Sequence, residues 1–248
     1  MDLDRYLPVR FDFDTVFNLR DLGGYAAADG RTVRPGVLFR ADGLFRLSGE
    51  DVARFGELGV RAVLDLRRPD ELAADGRCPD LPGLLYRNVN LQRAQWTSAQ
   101  VSGEQMAGYL ADRYTEMAAE GLESGAMGEA LRFVATEPGP TVFHCLAGKD
   151  RTGVIAALVL SLLGVPDEAV AADYAASQYS EERYLAWKAL TRPDLPAPVS
   201  AGYACPAGAM LAFLSRLRAE HGSAVAYTER AGLTGEHRAA LRDRLLSA

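Results

Sequence analysis

The sequence predicts an α/β fold, with a central, mainly parallel sheet flanked by helices. Three observations point there: short β-branched apolar runs alternate with helix-patterned segments, Gly and Pro punctuate the joints, and no repeat or low-complexity linker interrupts the alternation. Val37 to Arg40 is the first short strand. Ser48 is placed to open a helix with Asp51 three residues on, an acidic variant of a capping box, and Gly59 to close it. Residues 61–66 (RAVLDL) read as a buried strand, Pro69 turns into a short helix ending at Asp75, and residues 84–91 form another strand. Two acidic segments, Glu104 to Glu120 and Ser124 to Thr136, carry helical patterning with solvated carboxylate faces. A Pro-Gly-Pro turn then introduces the strand Pro140 to His144. Val154 to Leu163 is an apolar helix ended by Gly164, and Pro166 takes the first position of the next helix. Pro193, Pro196 and Pro198 break the chain before a final helical part, Ala207 to Glu220 and Gly235 to Leu246. No sharp boundary divides the chain, so residues 1–248 are expected to form one domain, with residues 170–205 or so a candidate helical lid.

Composition removes several functions. The 248 residues carry 27 basic and 33 acidic side chains, a formal net charge of −6. Nucleic acid is therefore not an expected partner, because non-specific binding needs a basic footprint. The longest apolar stretch, Gly153 to Val165, falls short of the ~20 residues a membrane helix requires, so no transmembrane segment is expected. The opening MDLDRYLPVRFDFD has neither a basic n-region nor an apolar h-region and reads as no Sec-type leader. Three cysteines, Cys78, Cys145 and Cys205, make no disulfide framework and suit a reducing, cytoplasmic setting; signal-free secretion and the oligomeric state stay open. With three histidines and no HxH, HExxH or CxxC spacing, neither a metal nor a cofactor is expected.

The chemistry is concentrated in His144-Cys145-Leu146-Ala147-Gly148-Lys149-Asp150-Arg151-Thr152-Gly153. A strand ends at His144, a tight loop follows, and Arg151 and Thr152 open an apolar helix. Backbone N–H groups of such a loop converge on one oxyanion, the helix N-terminus adds its positive end, and Arg151 supplies a planar two-pronged donor. Leu146, Ala147, Gly148, Lys149, Asp150 and Arg151 thus form a candidate anion cradle. Gly148 lets the loop close tightly, and Gly153 lets the helix start approach the sheet. Cys145, at the centre, would be held as a thiolate by the same field and attack phosphorus. Thr152 is placed to hydrogen-bond the sulfur, and His144 to orient the loop.

His144-Cys145-x5-Arg151-Thr152 resembles the signature of the cysteine-dependent protein tyrosine phosphatase superfamily. The residues Asn18-Leu19-Arg20-Asp21-Leu22-Gly23-Gly24-Tyr25, Leu38-Phe39-Arg40-Ala41, Asp65-Leu66-Arg67 and Gly232-Leu233-Thr234 narrow it. They are similar to a bacterial and fungal tyrosine phosphatase-like family that also accepts phosphoinositides. The similarity runs from about residue 12 to the end. It implies a single-domain phosphatase fold, phosphoenzyme chemistry on Cys145 and Arg151 as the phosphate clamp. The implied substrate is a phosphorylated protein or a phosphoinositide: phosphotyrosine first, with phosphoserine, phosphothreonine and phosphoinositides as further candidates.

Within the loop, Lys149 is one of only two lysines beside 25 arginines, and the resemblance places it where lipid phosphatases face extra phosphates. A solvated loop lysine is the plainer alternative. The leaving-group acid has three candidates. Asp65, at the end of RAVLDL, is favoured by the resemblance, although a salt bridge from Asp65 to Arg67 or Arg20 would explain it equally simply. Asp150 comes next, as acid or as loop anchor, and Asp112 third. In the NLRDLGGY run Gly23-Gly24 marks a turn, Asp21 is suited to cap it, and Arg20 to reach a carboxylate on the sheet. Cys78 and Cys205 read as inert, and Tyr179, Tyr184 and Trp187 as core or lid. Two rival functions remain: a non-catalytic phosphate-binding module, and a thiolate-loop sulfurtransferase or redox enzyme.

Overall fold

The computed structural model describes Tyr6, residues 8–94, Trp96, residues 101–191 and residues 204–247. Five strands form one sheet: β1 (Arg20–Asp21), β2 (Leu38–Ala41), β3 (Ala62–Asp65), β4 (Leu85–Asn88) and β5 (Thr141–His144), in the order β1-β2-β5-β3-β4. Only β1 runs antiparallel; β2, β5, β3 and β4 are parallel. The central strands are buried along their whole length, as a parallel sheet covered on both faces requires, whereas edge strand β4 alternates exposed and half-buried.

Period-two alternation sorts the strand residues between two cores. Phe39, Val63 and Val142 pack with Phe13, Leu44 and Phe55 on one face, while Leu38, Leu64 and Phe143 join the larger helical core on the other. The helices are α1 (Glu50–Glu57), α2 (Pro69–Asp75), α3 (Met106–Ser124), α4 (Ala126–Thr136), α5 (Asp150–Leu163), α6 (Asp167–Ala175), α7 (Glu181–Thr191), α8 (Ala207–His221), α9 (Ala224–Arg230) and α10 (Gly235–Leu245). Helix α5 is buried on nearly every side, which explains why its sequence is apolar all round rather than striped. Helix α8 packs on α3 and α6, and α10 on α4 and α5.

Several local expectations are corrected. Gly49, not Ser48, caps α1, and the Asp51 carboxylate is drawn away to Thr15, accepting from its N and Oγ1 at 2.7 Å each. Pro166 is the cap of α6 rather than its first residue. Arg20 lies on the short strand β1 and finds its carboxylate on a helix, at Asp173 of α6, not on the sheet. Asp21 does hold the Gly23-Gly24 turn, accepting from Gly23 N at 2.7 Å and Gly36 N at 2.6 Å. Helix α9 was not anticipated. The expected lid begins with α6, a 3-10 turn (Ala176–Ser180) and α7; the three prolines fall outside the described residues.

Candidate active site

Register places the site. Ala41 and Asp65 both lie opposite His144, so β2, β3 and β5 end level, and Cys145 follows at their common carboxyl edge, where open α/β sheets bind ligands. From there the chain forms a five-residue loop into α5, and each carbonyl of that loop has a donor. His144 Nδ1 lies 3.1 Å from Cys145 O. Gly43 N donates to Leu146 O at 3.0 Å, and Asn18 Nδ2 to Ala147 O at 3.0 Å. Arg40 Nη2 donates to Gly148 O at 2.7 Å, and Gly153 N to Lys149 O at 2.8 Å. Because a trans peptide sets N–H opposite to C=O, carbonyls held outward turn the N–H groups of Leu146 to Asp150 inward. An inward ring of N–H dipoles beside a helix N-terminus is an anion cradle. Gly148 is required within it: its φ is +66°, and a Cβ there would meet Ala41 O at 2.5 Å.

The groups holding the carbonyls are themselves held. Asp42 accepts from Phe17 N at 3.0 Å and Asn18 N at 2.9 Å, aiming the Asn18 amide at Ala147. Arg20 and Arg40, both fully buried, share the buried carboxylate of Asp173. Burial pushes the Asp173 carboxyl up, yet the two guanidinium charges prevail and its pKa falls below the ordinary range. The NLRDLGGY run therefore shapes the loop from behind.

Arg151 is buried and lies edge to edge with Glu71 of α2, Nη2 to Oε1 at 2.8 Å with Nη1 on Oε2. Burial opposes the charge of Arg151, but the Glu71 hydrogen bonds and the nearby Cys145 and Glu71 charges raise its pKa further above the arginine range. Thr152 Oγ1 is buried and has no hydrogen-bond partner among the described residues, so the expected bond to sulfur is not made. His144 is fully buried; burial pushes its pKa down while the nearby Asp65 charge opposes that, and because a carbonyl only accepts, Nδ1–H is the donor to the Cys145 carbonyl.

Asp65 does not suit the acid role the resemblance favours. It is fully buried and accepts from Arg67 N at 3.0 Å, Arg67 Nη2 at 2.8 Å and Tyr86 OH at 2.8 Å. Burial alone would raise its pKa, but His144 and Arg67 bring it down to about 2, so near neutrality it holds no proton to give. The ion pair with Arg67 is the outcome. Asp112 is an exposed partner of Arg216. Asp150 alone of the three heads α5, partly exposed, with Oδ1 accepting from Tyr114 OH at 2.7 Å and lying 3.6 Å from Lys149 Nζ.

Lys149 is only 4% exposed, so it is not the solvated loop residue of the plainer alternative. With Leu146 and Ala147 it faces a cavity of about 50 Å³ whose other walls include Ser177, Ser180, Tyr184 and Cys205. Cys205 thus comes beside the loop, a neighbourhood no local signal announced; burial pushes its thiol up to about 12 and that of Cys78 to about 11. The Arg46 guanidinium, paired with Asp42, lies within 5.6 Å of the ring centroids of Phe17, Phe45, Tyr184 and Trp187, which fastens α7 beside the loop. Among the described residues no group of three or more His, Cys, Asp or Glu is placed to hold a metal ion, and no helix is long and apolar enough to cross a membrane.

Glu71, Asp173, Asn18, Asp42 and Tyr114 act here through contacts 24 to 153 residues distant in sequence, so no spacing rule exposes them. The chain is similar to a Cupriavidus necator protein named as a candidate tyrosine-protein phosphatase, at 35% identity over 69% of this chain and 64% of that protein. It is similar to the triple specificity protein phosphatase PtpB of Mycobacterium tuberculosis, at 30% identity over 66% of this chain and 67% of that one. A tyrosine-protein phosphatase of Nostoc commune is 29% identical over 83% and 73%. The chain spans just under two thirds of the length of the first of these relatives. With residues 11–247 matching the family as a whole, this chain belongs to the tyrosine phosphatase family.

Proposed function

We propose that the protein is a metal-independent phosphomonoesterase that hydrolyses phosphotyrosine through a phosphocysteine intermediate. The observation that carries the reading is the loop whose five carbonyls are all held outward around Cys145, since it aims both N–H groups and Arg151 at one phosphoryl group. The Cys145 thiolate attacks phosphorus in line; the P–O bond breaks as Asp150 gives its proton to the leaving oxygen. Water then attacks the phosphocysteine, Asp150 takes back a proton, and inorganic phosphate leaves with the thiolate restored. Thr152, with its unpartnered hydroxyl, is the donor available to the leaving sulfur. The cradle and Arg151 supply the charge stabilisation that a metal supplies elsewhere.

The pocket beside the loop bears on substrate class. Ser177, Ser180 and Tyr184 line it together with Leu146, Ala147 and Lys149, so α7 and the turn before it are placed to act as a lid that lifts for substrate. A narrow pocket suits a flat aryl phosphate. Lys149 in its wall is the feature that favours a second phosphate and keeps phosphoinositides as the second reading. The three free cysteines, two held protonated by burial, suit a reducing compartment. A panel of phosphotyrosine peptides, phosphoserine peptides and phosphoinositide vesicles, assayed with EDTA present, tests this. The expected order is phosphotyrosine first with EDTA harmless; loss of activity with EDTA, or turnover confined to phosphoserine, contradicts it.

A further inference from the structure

Two buried phenols end on the carboxylate that heads α5. Tyr114 of α3 donates to Asp150 Oδ1 at 2.7 Å, and the hydroxyl of Tyr174 on α6 lies 2.6 Å from that of Tyr114. Oδ1 is the acceptor in that bond, so the single proton of Tyr114 is committed to Asp150 and Tyr174 donates to the Tyr114 oxygen. The rings cannot wander: Tyr114 stands edge-on to Tyr174, with centroids 5.8 Å apart at 77°, and to Phe213 of α8, at 6.1 Å and 87°. Burial and then the Asp150 charge raise the Tyr114 pKa well above the ordinary phenol, and burial first does the same for Tyr174, so both keep their protons. Neither is a proton source, and their effect on Asp150 is positional.

We propose that Tyr114, backed by Tyr174, is a positioning residue for the leaving-group acid, fixing Asp150 Oδ1 as an acceptor and leaving Oδ2 to carry the proton toward the ester oxygen. The inference rests on Asp150 being that acid. It accounts for two phenols placed in line in an otherwise apolar core, where a phenylalanine would pack as well. It also accounts for what restrains the carboxyl against Lys149 Nζ, 3.6 Å from the same oxygen. Without the Tyr114 hydroxyl, the carboxyl is free to turn about its own bond and settle on that ammonium.

The test compares the full chain with Tyr114→Phe, Tyr174→Phe and Asp150→Asn on phenyl phosphate and p-nitrophenyl phosphate. For Tyr114→Phe, kcat on the poor leaving group is expected to fall about tenfold and on the good one less than about threefold, with KM unchanged. Tyr174→Phe shows the same pattern at smaller amplitude, which keeps the test open if Tyr114→Phe folds poorly. Equal losses on both substrates, or a rise in KM in step with the fall in kcat, overturn the positioning role. If Asp150→Asn is selective for the poor leaving group and both tyrosine variants are not, only the positioning role is overturned. If Asp150→Asn itself loses equally on both, the acid assignment is overturned together with it.

Discussion

Arg151 meets Glu71 edge to edge, two N–H donors on two carboxylate oxygens, across 80 residues of sequence. A guanidinium free to rotate would have to be ordered each time a phosphate arrives; this one is already held by Glu71. Fixing it beforehand moves an ordering cost out of the reaction and into folding.

Glu71→Gln keeps the shape and removes the charge. Both the clamp and the start of α2 are weakened, since Glu71 Oε2 also accepts from Arg68 N at 2.8 Å. The expected result is a loss of at least about tenfold in kcat/KM on p-nitrophenyl phosphate, with phosphate inhibition weakened in parallel. Steady-state kinetics with phosphate as inhibitor check it, and an unchanged inhibition constant would contradict the role assigned to Glu71.

Asn18→Ala leaves Ala147 O without its donor while touching nothing that reacts. The loop should lose preorganisation worth about 1 kcal/mol, read as roughly a fivefold weaker phosphate inhibition constant. A loss of stability with phosphate affinity intact would show that Asn18 serves the fold alone.

Gly148→Ala forces a Cβ to within 2.5 Å of Ala41 O at a φ of +66°. Backbone strain of at least about 2 kcal/mol follows, lowering the melting temperature by roughly 4–8 °C and abolishing turnover. Calorimetry with an activity assay on the same sample checks both.

Asp65 makes stability depend on pH. Its folded pKa of about 2 lies below the unfolded value near 3.8, so its stabilisation is complete above the unfolded value and is lost as pH falls from about 4 through 2. Asp65→Asn should remove that loss, and with it stability on the order of 2 kcal/mol at pH 7. Urea melts at pH 7 and pH 3 measure the difference; an equal acid sensitivity in both proteins would contradict the assignment.

The wall of the pocket beside the Cys145 loop is held in part by Tyr184, packed with Trp187 around Arg46. Trp187→Ala removes aromatic and cation–π contacts each worth about 0.5–1.5 kcal/mol, so alkylation of Cys145 by iodoacetamide should quicken by roughly tenfold. An unchanged alkylation rate would place the gate elsewhere.

Much of this was legible before the structure. The cradle could be read because its parts are contiguous: strand, loop and helix start within ten residues, with Gly148 at the one position where a side chain cannot fit. The parallel sheet could be read because β3 and β5 are short apolar β-branched runs between turn residues. The proposed acid could not, because Asp65 and Asp150 differ not in type or spacing but in which donors surround them, and Arg67, Tyr86 and Tyr114 are brought there by tertiary packing. Ser48 failed as a cap for a similar reason, once Thr15 had claimed Asp51. Cys205 reads as inert, and burial does hold its thiol protonated, but its place beside the loop comes from the packing of α6 on α8.

The central claim is that Cys145 carries the phosphoryl group. Rapid mixing with p-nitrophenyl phosphate followed by acid quench and peptide mass spectrometry tests it most directly. The account predicts one added phosphoryl group on the peptide containing Cys145, formed as fast as the first leaving group is released, and neither adduct nor turnover in Cys145→Ser. Turnover surviving in Cys145→Ser, or phosphate found on any other residue, would contradict it.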